Sequence, residues 1–343
     1  MQRVRLLLSA VLTGVLALAL AVVVAPGRAS AASHLVPCDG KSAPDRAFSA
    51  AGWYQDRTSW CKNAILVAQE TGKHPGSLTA AYTITVVTAP KSLAVRVDIT
   101  FVRIRASGSL ANAVLTAQLP CTGCAPGKAR GRTASVTSWQ RNGSTVFDFT
   151  AGLGTGTDKI ANHKFNPRFV LNRTITKNGD GTSFRCDNAQ YISGKAGGCV
   201  FTQFVPTLSY STRDGSPNRA VAIHINDAFT KPETTQPKLK GKAVPHTLHR
   251  DSSKVAANRR IISKICRGID PNYTKKGLQC DEYPFASTAE GASRGDQRYS
   301  ARPVDATQNG KAGNELGSFY DRNRILSVNS RQGGDAFNVV ITH

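Results

Sequence analysis

Two adjacent carboxylates, Asp281 and Glu282, stand in the stretch Cys280-Asp281-Glu282-Tyr283-Pro284-Phe285, and an amide, Asn309, follows in Gln308-Asn309-Gly310. Carboxylate and amide oxygens are hard donors that suit Mg2+ or Mn2+. A carboxylate can also take a proton from water, provided its pKa is lifted from about 3.9 or a cation assists. Arg298, Arg302, Arg322 and Arg324 lie nearby in sequence, and arginine is the side chain best shaped to grip phosphate. Each feature taken alone has an ordinary reading: a solvated strand end, a turn, scattered surface charge. His246 and His249 sit in a Pro-flanked connection where structural or surface roles outweigh catalysis, and His224 reads as structural.

The order of the blocks is more specific than any one of them. Cys280-Asp281-Glu282-Tyr283-Pro284-Phe285-Ala286-Ser287-Thr288 is followed by Ala301-Arg302-Pro303-Val304, then Gln308-Asn309-Gly310-Lys311-Ala312-Gly313-Asn314, Gly317-Ser318-Phe319-Tyr320 and Arg324-Ile325-Leu326. This series resembles the NucA/NucB family of secreted bacterial deoxyribonucleases over about 125 residues, from near Arg219 to His343. The resemblance implies a ββα-metal (His-Me finger) type of nuclease fold, in which a strand end presents the general base and the following helix supplies a metal ligand. It carries the base onto Asp281, with Glu282 as a second candidate or metal ligand, and the amide ligand onto Asn309. Only one of two successive strand residues should face the metal. Gln308 departs from the family pattern, which favours an acidic residue there, and the exchange would weaken attraction for a metal. Arg298, Arg302, Arg322 and Arg324 are the expected DNA phosphate contacts.

The elements that must hold this constellation belong to a chain of 343 residues, 40% hydrophobic and 19% charged. Those proportions exclude collagen-like, coiled-coil and wholly disordered architectures, and the length favours two domains. The formal charge is +22; removing the three arginines of residues 1–31, which hold no acid, leaves +19. Such a field favours a polyanionic partner: nucleic acid, an anionic cell-wall polymer or a membrane surface. Arg3 and Arg5, the apolar run from Leu6 to Ala25 and Ala29-Ser30-Ala31 read as a cleavable signal peptide, with no later segment able to cross a membrane. The eight cysteines then read as disulfides. Neighbours pair Cys38 with Cys61, Cys121 with Cys124, Cys186 with Cys199 and Cys266 with Cys280, although spacing alone does not choose among connectivities. The Cys121-Thr122-Gly123-Cys124 stretch lacks the flanks of a redox or zinc motif and reads as a tight structural bridge.

Alternation of period two, broken at Pro90-Lys91, predicts a strand pair across residues 77–107. Further strands are expected near 134–139, 144–150, 168–171, 191–193 and 200–212, with turns at Asn142-Gly143 and Asn178-Gly179-Asp180-Gly181. Gly152, Gly154 and Gly156 alternate as in a nucleotide loop, but no helix signal follows, so they read as a strand connection. Trp53, Tyr54 and Trp60 beside Arg57 and Lys62 could stack on bases or sugars; next to a half-cystine they read as core. Helices are predicted over 219–229 and from a cap at Asp251 or Ser252 through Arg267, separated by a Pro- and Lys-rich connection over 231–245.

The sequence therefore predicts an α+β protein: a signal peptide over 1–31, a β-sandwich-like domain of unknown role over 32–215, and a small α+β nuclease domain over 216–343. The expected function is a secreted, metal-dependent endonuclease, a hydrolase of DNA with little sequence selectivity. The alternative is a non-catalytic binder of DNA or anionic cell-wall polymer carrying a degenerate nuclease domain.

Overall fold

Leu78, Ala80, Tyr82, Ile84 and Val86 alternate along one strand, Val95, Val97, Ile99 and Phe101 along the next, and all nine are buried. Period two places each set on one face of its strand, so the two strands Gly76–Ala89 and Ser92–Gly108 form the centre of an antiparallel sheet. Ser59–Glu70 and Trp53–Tyr54 extend it on one side, Ser144–Ala151 and Cys124–Arg130 on the other. The computed structural model describes Cys38, residues 45–193 and residues 197–343, all within one compact unit; the expected signal peptide lies outside them. A four-stranded sheet (order 174–178, 168–171, 114–118, 132–135) and a three-stranded one (198–200, 183–187, 161–164) contribute to the same apolar cluster as the six-stranded sheet. Aromatic rings dominate it: Tyr82 meets Phe169 at 4.8 Å and Phe101 meets Trp139 at 5.2 Å between centroids. Trp60 and Arg57 are buried there, as the core reading of that aromatic group expected.

Three local expectations fail. Residues 134–139 do not continue as a strand: Arg132–Ser135 is extended, then Ser135 caps the short helix α1 (Val136–Arg141) by accepting from the Ser138 N–H. Val136 and Trp139, three apart, bury on the same face of this helix. Asn142-Gly143 consequently ends a helix rather than turning a hairpin, and Gly143 is needed because a Cβ there would lie 2.4 Å from the Phe101 carbonyl oxygen. Residues 191–193 form a turn, not a strand.

A second apolar cluster gathers residues from Leu208 to Val339. Its sheet places Ala336–Thr342 between Thr207–Ser211, which it pairs in parallel, and Thr247–His249. Helix α2 (Arg219–Thr230) buries Val221, Ala222 and Ile225 in this cluster, α3 is Val255–Ile269, and α4 is Ala306–Arg322. The last element is a hairpin of Leu278–Tyr283 with Ser300–Asp305, which leads directly into α4. All four neighbouring cysteine pairs are joined as disulfides, Cys266–Cys280 tying α3 to the hairpin. Mixed α and β structure is thus as expected. Among the described residues no helix is long and apolar enough to cross a membrane.

Where the two clusters adjoin, charge is buried. Asp335 receives Arg57 at 3.0 Å and Arg185 at 2.7 Å; Arg185 also meets Asp187 at 3.2 Å, and Asp187 pairs with Arg324. None of the five side chains is more than 7% exposed. Arg324 further donates to the Pro90 carbonyl at 2.6 Å. The expected phosphate contact at Arg324 is therefore corrected: its guanidinium is consumed inside the protein by Asp187, in a place that solvent and a DNA backbone do not reach.

Candidate active site

Among the described residues the hairpin strand 278–283 has a strand neighbour on one side only, 300–305. Along it, between α3 and α4, lies a cleft of about 640 Å³. Successive residues of a strand point to opposite faces. Gln279 and Asp281 accordingly face α2 and α4, where Asn309 donates to Gln279 at 3.2 Å. Cys280 and Glu282 face α3, the former through its disulfide, the latter toward Arg259. Both faces reach the cleft because no second strand covers the edge, so Asp281, Glu282 and Asn309 all line it.

Asp281 is 6% exposed and anchored from behind. Its Oδ2 accepts from Nδ1 of His224 at 2.6 Å, and Nε2 of the same imidazole lies 2.7 Å from the Ser300 hydroxyl. His224 and Ser300 are wholly buried. A carboxylate only accepts, so Nδ1 carries the proton and Nε2 can accept from Ser300. Among the described residues Oδ1 of Asp281 has no hydrogen-bond partner, and it is the oxygen left for the cleft. The structural place read for His224 thus has a specific content: it fixes the carboxylate. Nothing in the sequence joined the two, which lie 57 residues apart.

Glu282 is half-buried, and its Oε1 accepts from the Ala286 N–H at 3.2 Å. Burial, followed by the neighbouring Asp281 charge, pushes its carboxyl up to about 7, against the opposing pull of Arg259 and that N–H. Asn258 steadies the segment behind it, donating to the Ala286 carbonyl at 2.7 Å and accepting from the Ser293 N–H.

Gln308 sits at the start of α4, with its own N–H held by the capping Asp305. Its side-chain oxygen accepts from the Ala220 N–H at 2.7 Å, closing the amino end of α2, where Asn218 supplies no side-chain cap. The amide thus has a structural task away from the cleft. Asn309, one position on, lines it.

Of the arginines expected at phosphates, Arg324 is buried as described, Arg302 is paired with Asp227 at 2.8 Å, and neither Arg298 nor Arg322, both exposed, lines the cleft. The cations that do line it are Arg250 and Arg259. Arg250 lies over the rings of Tyr320 and Tyr191, at 4.7 and 4.8 Å. His246 stacks on Phe229 and His249 bonds Glu290, so both are structural.

Among the described residues no group of three or more His, Cys, Asp or Glu side chains is placed to hold a metal ion. The oxygen donors gathered on one face, Asp281, Gln279 and Asn309, fit a hard cation that keeps much of its water, as Mg2+ does.

The cleft thus brings together a carboxylate held from behind, a second one poised near neutrality, oxygen donors and two arginines, of which Arg250 already donates to the carbonyls of Ile325 and Tyr191 and Arg259 is exposed. Residues 236–340 match the family model of Deoxyribonuclease NucA/NucB, in agreement with the resemblance read from the sequence. The match includes α3, the hairpin and α4, and leaves His224 and the β-rich residues before it outside. No curated protein and no solved structure matches the chain.

Proposed function

We propose that this protein is an exported, divalent-metal-dependent endonuclease that hydrolyses DNA phosphodiester bonds with little sequence selectivity. The observation that carries the reading is the convergence of Asp281, Glu282 and Asn309 on one cleft inside the region that matches the deoxyribonuclease family. Asp281, its Oδ2 held by His224, accepts through Oδ1 a proton of the attacking water as the water oxygen bonds to phosphorus and the bond from phosphorus to the 3′ oxygen breaks, the departing 3′ oxygen taking a proton from protonated Glu282 or from solvent. Glu282, with a carboxyl near neutrality, is suited to exchanging a proton at the same place. Arg259, exposed at the cleft and without an ion-pair partner among the described residues, meets the phosphate charge, while Arg250, held between Tyr320 and Tyr191, adds positive potential from the wall. Asn309 and Gln279, beside the Asp281 charge, would hold Mg2+ or Mn2+, which would supply charge neutralisation and make water easier to deprotonate. The ββα-metal assignment rests on the hairpin 278–305 running straight into α4, with base and amide on its successive parts.

Export is supported by the apolar run before Ala29-Ser30-Ala31 and by the four disulfides. Weak selectivity follows from the basic composition, which attracts backbone and carries no base information. Incubating supercoiled plasmid with the protein and Mg2+ or Mn2+ should yield nicked, linear and then fragmented DNA, and chelation or Asp281→Ala should abolish cleavage. Retardation of the plasmid without cleavage would favour the DNA-binding alternative instead.

A further inference from the structure

Beside the cleft lies a second pocket, of about 510 Å³, built by both parts of the chain. One wall is the loop from Gly154 to Ile160, closed on itself by the Gly154 N–H donating to the Lys159 carbonyl at 3.0 Å; the other is the segment after α4 that begins at Ser327. We propose that this pocket is a phosphate-binding subsite for the DNA strand where it runs on beyond the bond being cut. The inference rests on the nuclease reading and gives the β-rich part of the chain a share in the substrate.

Four observations support it. The pocket adjoins the cleft: Ser252 lines both, and Arg250 is sandwiched between Tyr320 of the cleft and Tyr191 of the pocket. Its chemistry is that of backbone recognition, with the hydroxyls of Thr155, Thr157 and Ser252 and the exposed cations Lys159 and Arg331, neither of which has an ion-pair partner among the described residues. The hydroxyl of Ser327, a residue 4% exposed that lines the pocket, is buried without any hydrogen-bond partner. Such an orphan costs about 1–3 kcal/mol, a cost that turning the hydroxyl outward to a phosphate oxygen in the pocket would relieve. Finally, Gly156 has φ +87° and nothing within 4 Å of a Cβ position, so backbone stands open to the pocket. The one carboxylate in its lining, Asp158, is 8% exposed and accepts from the Tyr191 hydroxyl at 3.3 Å, so the two cations outnumber it by one. The alternating glycines singled out in the sequence thus form a loop with no helix behind it, consistent with gripping a strand rather than cradling a nucleotide.

The test compares oligonucleotides of about 4 and about 16 nucleotides, the range of site sizes known for single-strand grooves. In the parent the longer substrate should have the lower KM; in Lys159→Ala/Arg331→Ala that advantage should shrink about tenfold, or about 1.4 kcal/mol, with kcat for the longer substrate kept. Anisotropy with the cleavage-silenced Asp281→Asn protein reads the same pocket without catalysis: binding of the longer strand should weaken on adding the two substitutions, and Ser327→Ala should weaken it too. An unchanged length advantage, or equal losses on short and long substrates, overturns the subsite. If inorganic phosphate binds less to the double variant while the long oligonucleotide binds equally, the pocket serves a free anion and the proposal also falls. Absence of cleavage by the parent would sink the nuclease reading alone, since anisotropy still decides the subsite.

Discussion

At the scale of single residues the cleft depends on what stands behind its carboxylates. His224→Gln keeps a polar group toward Ser300 and removes the donor at the Nδ1 position, whereas His224→Asn keeps a donor close to Asp281. If His224 positions the base, the Gln variant should lose about 100-fold in kcat with KM nearly unchanged, and the Asn variant should recover much of it. Equal losses in both, matched by equal falls in melting temperature, would reduce His224 to a packing role. Glu282 makes a pH prediction of definite sign. Its folded carboxyl is raised from 4.5 to about 7, so the folded state holds the proton more tightly. The stability this gives is complete below pH 4.5 and is lost as pH rises through 7. Glu282→Gln, neutral throughout, should therefore melt higher than the parent at pH 8 in chelator, by about 2–4 °C for each kcal/mol relieved. The gap should close near pH 4.5, and a gap independent of pH would contradict the assigned environment. Asp281 and Asn309 were legible because they belong to ordered blocks. Gln279 was legible in principle from its two-residue spacing to Asp281. Arg324 was misread because its partner, Asp187, lies 137 residues away, and no local pattern distinguishes a buried arginine from an exposed one.

At the scale of elements, α4 is built with a liability that packing does not demand. Gly310, Gly313 and Gly317 line the cleft, and a Cβ added at any of them meets nothing within 4 Å. Each helical glycine costs about 1 kcal/mol against alanine. Gly313→Ala and Gly317→Ala should accordingly stabilise the protein by up to about 1 kcal/mol each in denaturant titrations. Because the new methyls project into the cleft, KM for DNA should rise at the same time; stabilisation with unchanged KM would show that substrate does not approach this helix face. The long strands were readable from the sequence because one face of each is buried and the other is not. The stretch 134–139 was misread because Val136 and Trp139, spaced three apart, satisfy a short helix as readily as an irregular strand, and only the Ser135 cap decides between them. The helices α2 and α3 were anticipated almost in full, since amphipathic spacing and the Asp251 cap are local signals.

At the scale of the whole molecule, the buried set Arg57, Asp335, Arg185, Asp187 and Arg324 joins the β-rich part to the part that matches the nuclease family. Removing one member strands the others without water. Arg324→Ala should lower stability by about 3–5 kcal/mol, since Asp187 would keep a buried charge with only Arg185 to meet it. Equilibrium unfolding by urea would measure this, and a loss under 1 kcal/mol would mean that water reaches the network. The same argument holds for cutting the chain near residue 215: Asp335 and Arg324 would lose every partner contributed from before the cut, so a truncated 216–343 should be poorly folded.

The strand Ala336–Thr342 is the middle strand of its sheet, yet it pairs in parallel with Thr207–Ser211, more than a hundred residues earlier. The residues that form the cleft lie on or between these two strands, so the cleft closes only when segments more than a hundred residues apart meet. Pairings of such long separation are slow to find. The β-rich part can assemble from nearer neighbours, and it holds all three tryptophans, Trp53, Trp60 and Trp139. During refolding with disulfides intact, tryptophan emission should therefore settle before cleavage activity returns. For an exported nuclease, as proposed, the same delay acts as a safety interval: a chain still emerging would present a finished scaffold and an unassembled blade, harmless to the DNA of its maker.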